Sequence, residues 1–129
     1  MIVVDASAVL AMLFGEPEAE AFLARLGAGG GALISPVNHW EVLIRANAAR
    51  GRQGVAEAET LMSDLRISPA RVDGEQARVA ADAAFRFGRG TPAKLNLGDC
   101  FAYALALHEG EGLLYKGDDF PLTDIPSAL

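Results

Sequence analysis

The first fourteen residues of the chain are Met1-Ile-Val-Val-Asp-Ala-Ser-Ala-Val-Leu-Ala-Met-Leu-Phe14. The β-branched run Ile2–Val4 is typical of a buried strand, and Asp5 follows it directly. From Ser7 onward the apolar residues recur at helical spacing, which predicts a helix. A strand followed by a helix is the first half of a β–α–β crossover, so this segment favours an α/β domain with a parallel sheet.

The same alternation of strands and helices continues along the chain. Further strands are predicted at Ala32–Ser35, Ile67–Ser68 and Gly112–Tyr115. Helices are predicted from Pro17, over Asn38–Arg50 and Gly54–Arg66, from the cap Asp73 to Phe87, and from Asn96 to Glu109. The remaining residues 116–129 are predicted to form a polar tail. The pattern predicts one domain over residues 1–129, in which helices cover both faces of a mostly parallel sheet.

Length and composition indicate a globular chain. The 129 residues are 51% hydrophobic and 22% charged, which argues against disorder. No stretch approaches the roughly 20 apolar residues that span a bilayer, so no membrane association is expected. Cys100 is the only cysteine, which excludes an internal disulfide and a multi-thiolate metal site. Because the start of the chain lacks the features of a signal peptide, we expect a cytoplasmic protein.

The net charge is −6, the opposite of the sign that most nucleic-acid-binding proteins carry. Four carboxylates gathered around a divalent metal ion would account for most of this excess. The net charge therefore does not exclude a nucleic-acid substrate.

Four segments place an acid near the carboxyl ends of the predicted strands. Asp5 ends the first strand, and Asp118 and Asp119 follow the last one. Glu41 and Asp99 lie in first helical turns, which point to the same edge of such a sheet. Two carboxylates about 5 Å apart repel by roughly 3 kcal/mol at an effective dielectric constant near 20. A hard cation such as Mg²⁺ or Mn²⁺ would relieve this repulsion and suit phosphoryl-centred hydrolysis.

Each acid also has a purely structural interpretation. Asp5 is a favoured residue for capping the helix that follows it. The segments Asn38–Glu41 and Asn96–Asp99 both resemble capping boxes, and Asp118-Asp119 fits an ordinary turn. For each acid taken alone the structural interpretation is the stronger one, but four segments that each bring a carboxylate to one edge of one sheet favour the metal site.

Five segments in this order resemble one family over nearly the whole chain. They are Ile2-Val-Val-Asp-Ala-Ser7, Asn38-His-Trp-Glu-Val42, Leu95-Asn-Leu-Gly-Asp-Cys-Phe-Ala-Tyr103, Leu113-Leu-Tyr-Lys-Gly-Asp-Asp-Phe120 and Thr123-Asp-Ile125. The chain resembles the PIN-domain ribonucleases and, within them, the VapC-type toxins of bacterial toxin–antitoxin pairs. The resemblance implies a PIN-like three-layer α/β/α fold.

The resemblance also implies a function and roles for the acids. It implies a Mg²⁺-dependent endoribonuclease toxin, a homodimer inhibited by a cognate antitoxin, which hydrolyses RNA phosphodiester bonds. Asp5 and Asp99 would be the metal ligands, and Glu41 a further ligand or a base that positions water. Asp118 is predicted as the fourth acid of the site, and Asp119 is predicted to hold the loop.

Several other polar and aromatic residues are candidates for secondary roles. Ser7 is predicted to cap a helix and, in the family context, to contact a phosphate or water. Lys116, next to the end of the last strand, is the best candidate for an RNA phosphate contact. Trp40 is predicted to pack within the protein rather than to stack on bases. Three further basic residues could line the approach to the acids: Arg86, Arg89 and Lys94.

Two alternative functions remain at this stage. A phosphoacceptor receiver domain has similar length and acidity, but it needs an acidic pair after the first strand, where Asp5 stands alone. A catalytically silent PIN-like binding module should have lost one or more site acids, and none is missing. Both alternatives are therefore weaker than the nuclease.

Overall fold

A computed structural model describes residues 1–129. Its strands are β1 (Ile2–Val4), β2 (Ala32–Ile34), β3 (Ile67–Pro69) and β4 (Leu113–Leu114). Its helices are α1 (Ala6–Leu13), α2 (Ala19–Gly27), α3 (Pro36–Asp64), α4 (Gly74–Phe87) and α5 (Leu97–Glu109), and a single 3₁₀ turn covers Phe120–Leu122. None of the helices combines the length and apolar content that a bilayer span requires.

The four strands form one sheet in the order β3-β2-β1-β4, and every neighbouring pair is parallel. The predicted parallel sheet is therefore confirmed. Val3 of β1 is in register with Leu33 on one side and Leu113 on the other. Because β1 is a central strand, Asp5 leaves the sheet in the middle of its carboxyl edge, where ligands bind in open α/β sheets.

Alternating residues of β1 contribute to two separate hydrophobic cores. Ile2 and Val4 pack with apolar residues of α1, α2 and α3. Val3 points the other way and packs with residues of α4 and α5. The sheet thus has helices on both faces, which confirms the three-layer α/β/α architecture.

Helix α3 begins earlier than its sequence pattern indicates. Its N-cap is Ser35, whose Oγ accepts a hydrogen bond from the Val37 N–H at 3.3 Å, and Pro36 occupies the first turn. Proline suits this position because its missing N–H has no helical partner there. The predicted capping box at Asn38 is therefore wrong, and Asn38 lies fully buried inside the helix.

The predicted break after Arg50 is present as a kink rather than as the end of a helix. Arg50 and Gly51 have non-helical backbone angles, and Gly51 has φ of 60°. Glycine adopts this left-handed region without steric cost, which explains why the chain bends there. Beyond the kink the helix resumes, and the predicted helix from Gly54 forms the second part of α3, which ends at Asp64.

The C-terminal segment is folded against the domain, so the prediction of a polar tail is wrong. Phe120, Ile125 and Ala128 are buried. The buried Tyr103 donates its hydroxyl proton to Asp124 at 2.6 Å, and Arg86 donates to the other oxygen of that carboxylate at 3.0 Å. Asp124 therefore ties the C-terminal segment to α4 and α5.

Removing this tie should destabilise the fold. The Asp124→Ala variant leaves the buried Tyr103 hydroxyl without its acceptor, so we expect a loss of about 1–3 kcal/mol in the free energy of unfolding, measured by urea denaturation. Asp82→Ala is the control, because Asp82 makes only an exposed pair with Arg78 at 3.8 Å. The control should stay within about 0.5 kcal/mol of the parent. Equal stability of the Asp124→Ala variant and the parent would contradict the tie.

Candidate functional site

Asp5 is a buried carboxylate at the end of β1 and the N-cap of α1. Its Oδ2 accepts hydrogen bonds from the Ser7 N–H at 3.0 Å and from the Ser7 hydroxyl at 2.5 Å. Only 4% of Asp5 is exposed. Burial raises the pKa of Asp5, the bonds from Ser7 lower it, and the charge of Glu41 raises it further. The prediction that Asp5 caps α1 is confirmed, and the carboxylate is also repelled by the charge of Glu41.

Ser7 connects the ends of two neighbouring strands. Its hydroxyl donates to Asp5 and accepts a hydrogen bond at 3.0 Å from the backbone N–H of Lys116, which follows β4. The helix cap is Asp5, so the prediction that Ser7 caps the helix is wrong. Because its proton is committed to the carboxylate, Ser7 orients Asp5.

Glu41 extends from the second turn of α3 onto the first turn of α5. Its Oε1 accepts a hydrogen bond from the Asn38 side-chain amide at 2.8 Å. The carboxylate lies against Gly98, where even a Cβ atom would overlap it. Burial raises the pKa of Glu41, the bond from Asn38 lowers it, and the charge of Asp99 raises it.

Asp99 forms the predicted capping box at the start of α5. Its Oδ2 accepts from the Asn96 N–H at 3.0 Å, and its own N–H donates to the Asn96 side chain at 2.9 Å. Burial and the charges of Asp5 and Asp119 together raise the pKa of Asp99 to about 6, against the opposing effect of the bond from Asn96.

Three of the predicted acids, Asp5, Glu41 and Asp99, therefore lie within electrostatic reach of one another. Glu41 raises the pKa of Asp5, Asp99 raises that of Glu41, and Asp5 raises that of Asp99. None of the ion pairs in the protein includes any of the three. No group of three or more acids, histidines or cysteines is placed so that its members could hold a metal ion together. This acid cluster concentrates negative charge, which the nearby Arg45 offsets in part by lowering the pKa of Glu41.

The two loop acids after β4 differ in their relation to this cluster. Both Asp118 and Asp119 are exposed. The charge of Asp119 raises the pKa of Asp99, whereas Asp118 is not among the groups that shift it. The prediction that Asp118 is the fourth acid gains no support from these interactions, which favour its neighbour.

The candidate basic residues fall into two classes. Lys116 makes ion pairs with Glu16 at 3.2 Å and Glu18 at 3.5 Å, and Arg86 is paired with Asp124. Arg89 and Lys94, in the loop that leads to Asn96, are exposed and make no ion pair. Lys94 also has φ of 54°, a strained conformation of the kind that clusters at functional sites.

The face of α3 that packs into the core is not the one that the sequence pattern favoured. Trp40 is 61% exposed, so the prediction that it packs within the protein is wrong. The buried face carries Asn38, Val42 and Ala46 instead. Asn38 is the residue that the sequence reasoning missed, because a polar residue three positions before an acid also fits a cap.

Comparison with known proteins connects this architecture to one family. The PIN domain family model matches residues 2–126. Ribonuclease VapC42 of Mycobacterium tuberculosis is 41% identical over 130 residues, covering 98% of both chains. Ribonuclease VapC30 of the same organism is 38% identical and covers 96% of this chain and 95% of its own length.

A solved structure shows the same fold at low sequence identity. VapC20 of Mycobacterium tuberculosis, described as a sarcin-ricin loop cleaving toxin, superposes with a TM-score of 0.78 at 14% identity. The match covers 97% of this chain and 96% of VapC20. The sequence relatives and the shared fold agree with the resemblance found from the motifs. The chain belongs to the PIN-domain family and, within it, to the VapC ribonucleases.

Proposed function

We propose that this protein is the toxin of a toxin–antitoxin pair and acts as a Mg²⁺-dependent endoribonuclease. The observation that supports the proposal is that Asp5, Glu41 and Asp99 repel one another electrostatically, that Glu41 lies against the turn that carries Asp99, and that none of the three forms an ion pair. Family membership favours this function over a receiver domain. The presence of all three acids favours it over a silent binding module.

The residues of the cluster fit a hard divalent cation. All the donors are carboxylate oxygens, which Mg²⁺ and Mn²⁺ prefer over softer ligands. We assign Asp5 and Asp99 as the ligands, as the resemblance to the family implies. The charge of Asp5 raises the pKa of Asp99, and a cation between them would relieve this repulsion. Since no three such residues are placed to hold a metal ion together, the proposal requires only two carboxylate ligands, and Mg²⁺ usually keeps several water ligands and is held by one or two carboxylates. Mn²⁺ is the expected substitute.

The chain's own groups would divide the work of hydrolysis. A bound Mg²⁺ supplies Lewis-acid stabilisation of the phosphate oxygens and activation of water. Ser7 holds Asp5 in one orientation through two hydrogen bonds. Glu41, whose pKa is raised, is suited to orient the attacking water and to accept its proton.

A fourth acid would come from the loop after β4. The effect of Asp119 on the pKa of Asp99 favours Asp119 for this place, with Asp118 as the alternative.

Contacts to the RNA backbone would come from groups beside the acids. Lys116 and Ser7 meet at the end of β4, next to Asp5, which makes both of them candidates. The Ser7 hydroxyl would have to give up its hydrogen bond to Asp5 before it could donate to a phosphate. The Lys116 ammonium group would have to leave Glu16 and Glu18 to contact a phosphate. Arg89 and Lys94 form no ion pair that would have to break first, so they remain candidates for binding RNA phosphates.

The proposed partners are a cognate antitoxin and a second copy of the chain, in the cytoplasm. Trp40 and Ile44, one helical turn apart on α3, are 61% and 48% exposed. Adjacent exposed apolar side chains of this size often mark protein interfaces, so this face of α3 is a candidate surface for binding a protein partner.

An RNA cleavage assay tests the proposal. The purified protein, incubated with total cellular RNA and Mg²⁺, should produce discrete fragments. Excess EDTA should stop the cleavage, and renewed addition of Mg²⁺ or Mn²⁺ should restore it. Cleavage that persists in EDTA would refute the metal dependence. Absence of cleavage of transfer and ribosomal RNA with either metal would refute the ribonuclease.

A further inference from the structure

We propose that Asn38 is a positioning residue that holds Glu41 at a fixed place relative to Asp99. The inference rests on the proposed function, since Glu41 and Asp99 matter here as parts of the nuclease site. Asn38 does not cap α3, because the cap is Ser35, and it is not one of the acids. Its buried polar side chain therefore needs another explanation.

The contacts of Asn38 join the two helices that carry these acids. The Asn38 side-chain amide donates to Glu41 Oε1 at 2.8 Å and to the Gly98 carbonyl oxygen at 2.9 Å. Both N–H bonds of the amide are therefore used, one within α3 and one across to α5. Because Asp99 follows Gly98 directly, the second bond ties Asn38, and with it Glu41, to the turn that carries Asp99.

Gly98 forms the opposite wall of this arrangement. The Glu41 carboxylate lies so close to the Gly98 Cα that an added Cβ would overlap its oxygens. Gly98 does not have a positive φ, so glycine is needed there for space and not for backbone conformation. Glu41 is thus held between the amide of Asn38 and the first turn of α5.

Burying the Asn38 side chain reduces the stability of the fold, so its presence calls for a functional reason. The side chain is fully buried, and its Oδ1 has no hydrogen-bond partner. An unpaired buried acceptor costs about 1–3 kcal/mol, and an apolar residue of similar volume would avoid that cost. A buried polar group that is not fully satisfied is an exception in folded proteins and calls for a role. Donating two hydrogen bonds to the site is a role that leucine cannot take.

The test compares Asn38→Leu with Asn47→Leu, which changes an exposed asparagine on the same helix. Single-turnover cleavage of one RNA substrate is measured at saturating Mg²⁺. Loss of a residue that orients an active-site ligand typically costs 10–100-fold in activity. We expect a fall of about this size in the maximal rate for Asn38→Leu, with half-saturating RNA concentration within about threefold of the parent. Asn47→Leu should match the parent.

A double-mutant cycle separates positioning from a merely structural role. In the Glu41→Gln background, Asn38→Leu should lower the rate by less than about threefold, because the residue through which Asn38 acts is already disabled. An equal loss in both backgrounds would overturn the inference. If Asn38→Leu does not fold, Asn38→Ala serves instead: it removes the same two donated hydrogen bonds with a smaller side chain, and it should show the same rate loss and the same dependence on Glu41.

The outcomes also distinguish this inference from the proposed function. A parent protein that cleaves RNA together with an Asn38→Leu variant that cleaves equally well would overturn the positioning role alone. A parent protein that cleaves no RNA would overturn the nuclease, and the positioning role with it.

Discussion

The Asp5→Asn variant is expected to lose RNA cleavage by about a thousandfold or more while keeping its fold. The variant removes the charge of a metal ligand, and the stabilisation that a bound cation gives to a phosphoryl-transfer transition state is worth several kcal/mol. Asparagine caps helices as well as aspartate does, and its oxygen can accept the bonds from Ser7. Cleavage rates at saturating Mg²⁺, with circular dichroism of both proteins, measure the effect.

Asp73→Asn is the matched control for this prediction. Asp73 is also an N-cap, and its side chain accepts from the Gln76 N–H at 2.9 Å, but it is exposed and belongs to α4. The same chemical change at this second cap should leave cleavage unchanged. Full activity of Asp5→Asn, or an equal loss in both variants, would contradict a specific role for the Asp5 charge.

The Asp99→Asn variant is expected to lose cleavage yet to be more stable than the parent in metal-free buffer near pH 8. The pKa of Asp99 is raised from 3.8 to about 6 in the folded protein, so its ionised form is disfavoured by folding. The full shift corresponds to roughly 3 kcal/mol. Because Asp99 is partly exposed, solvent screening reduces the expected gain to about 1–2 kcal/mol. Asparagine keeps the capping box intact.

The dependence of this stability on pH has a defined sign. A carboxyl group whose pKa is raised by folding adds stability below its unfolded pKa, and that stability is lost as the pH rises through the folded value. The advantage of Asp99→Asn over the parent should therefore grow between pH 4 and pH 7, as measured by thermal melts in EDTA. Saturating Mn²⁺ should reverse the order. A variant less stable than the parent in EDTA at pH 8 would contradict the repulsion.

The sheet and the position of the acids followed from local patterns. The β-branched run Ile2–Val4 and the helical spacing after it define β1 and α1. Asn96 and Asp99 form the expected capping box, since this motif depends only on residues within one turn. The rule that carboxyl ends of parallel strands share one edge then placed Asp5 near the acids of α3 and α5.

Features that depend on tertiary packing could not be predicted in this way. The orientation of α3 against the sheet exposes Trp40, and no local pattern determines that orientation. The start of α3 is different, because Ser35 followed by Pro36 is a local signal for a helix start, which the prediction of a cap at Asn38 missed. Phe120 and Ile125 are buried without any periodic pattern around them. Asp118 and Asp119 are adjacent, so spacing cannot say which of them faces the cluster.

The most direct test of a cation shared by Asp5 and Asp99 is the melting temperature of the parent, Asp5→Asn and Asp99→Asn proteins, measured with and without Mn²⁺. A ligand at 100 times its dissociation constant stabilises the folded state by about 2.7 kcal/mol. For a domain of this size that corresponds to a rise of roughly 5–15 °C in the melting temperature. The parent should show a rise of this order, and each variant should show little or none. No rise in the parent at millimolar Mn²⁺, or the same rise in all three proteins, would contradict a cation held between Asp5 and Asp99.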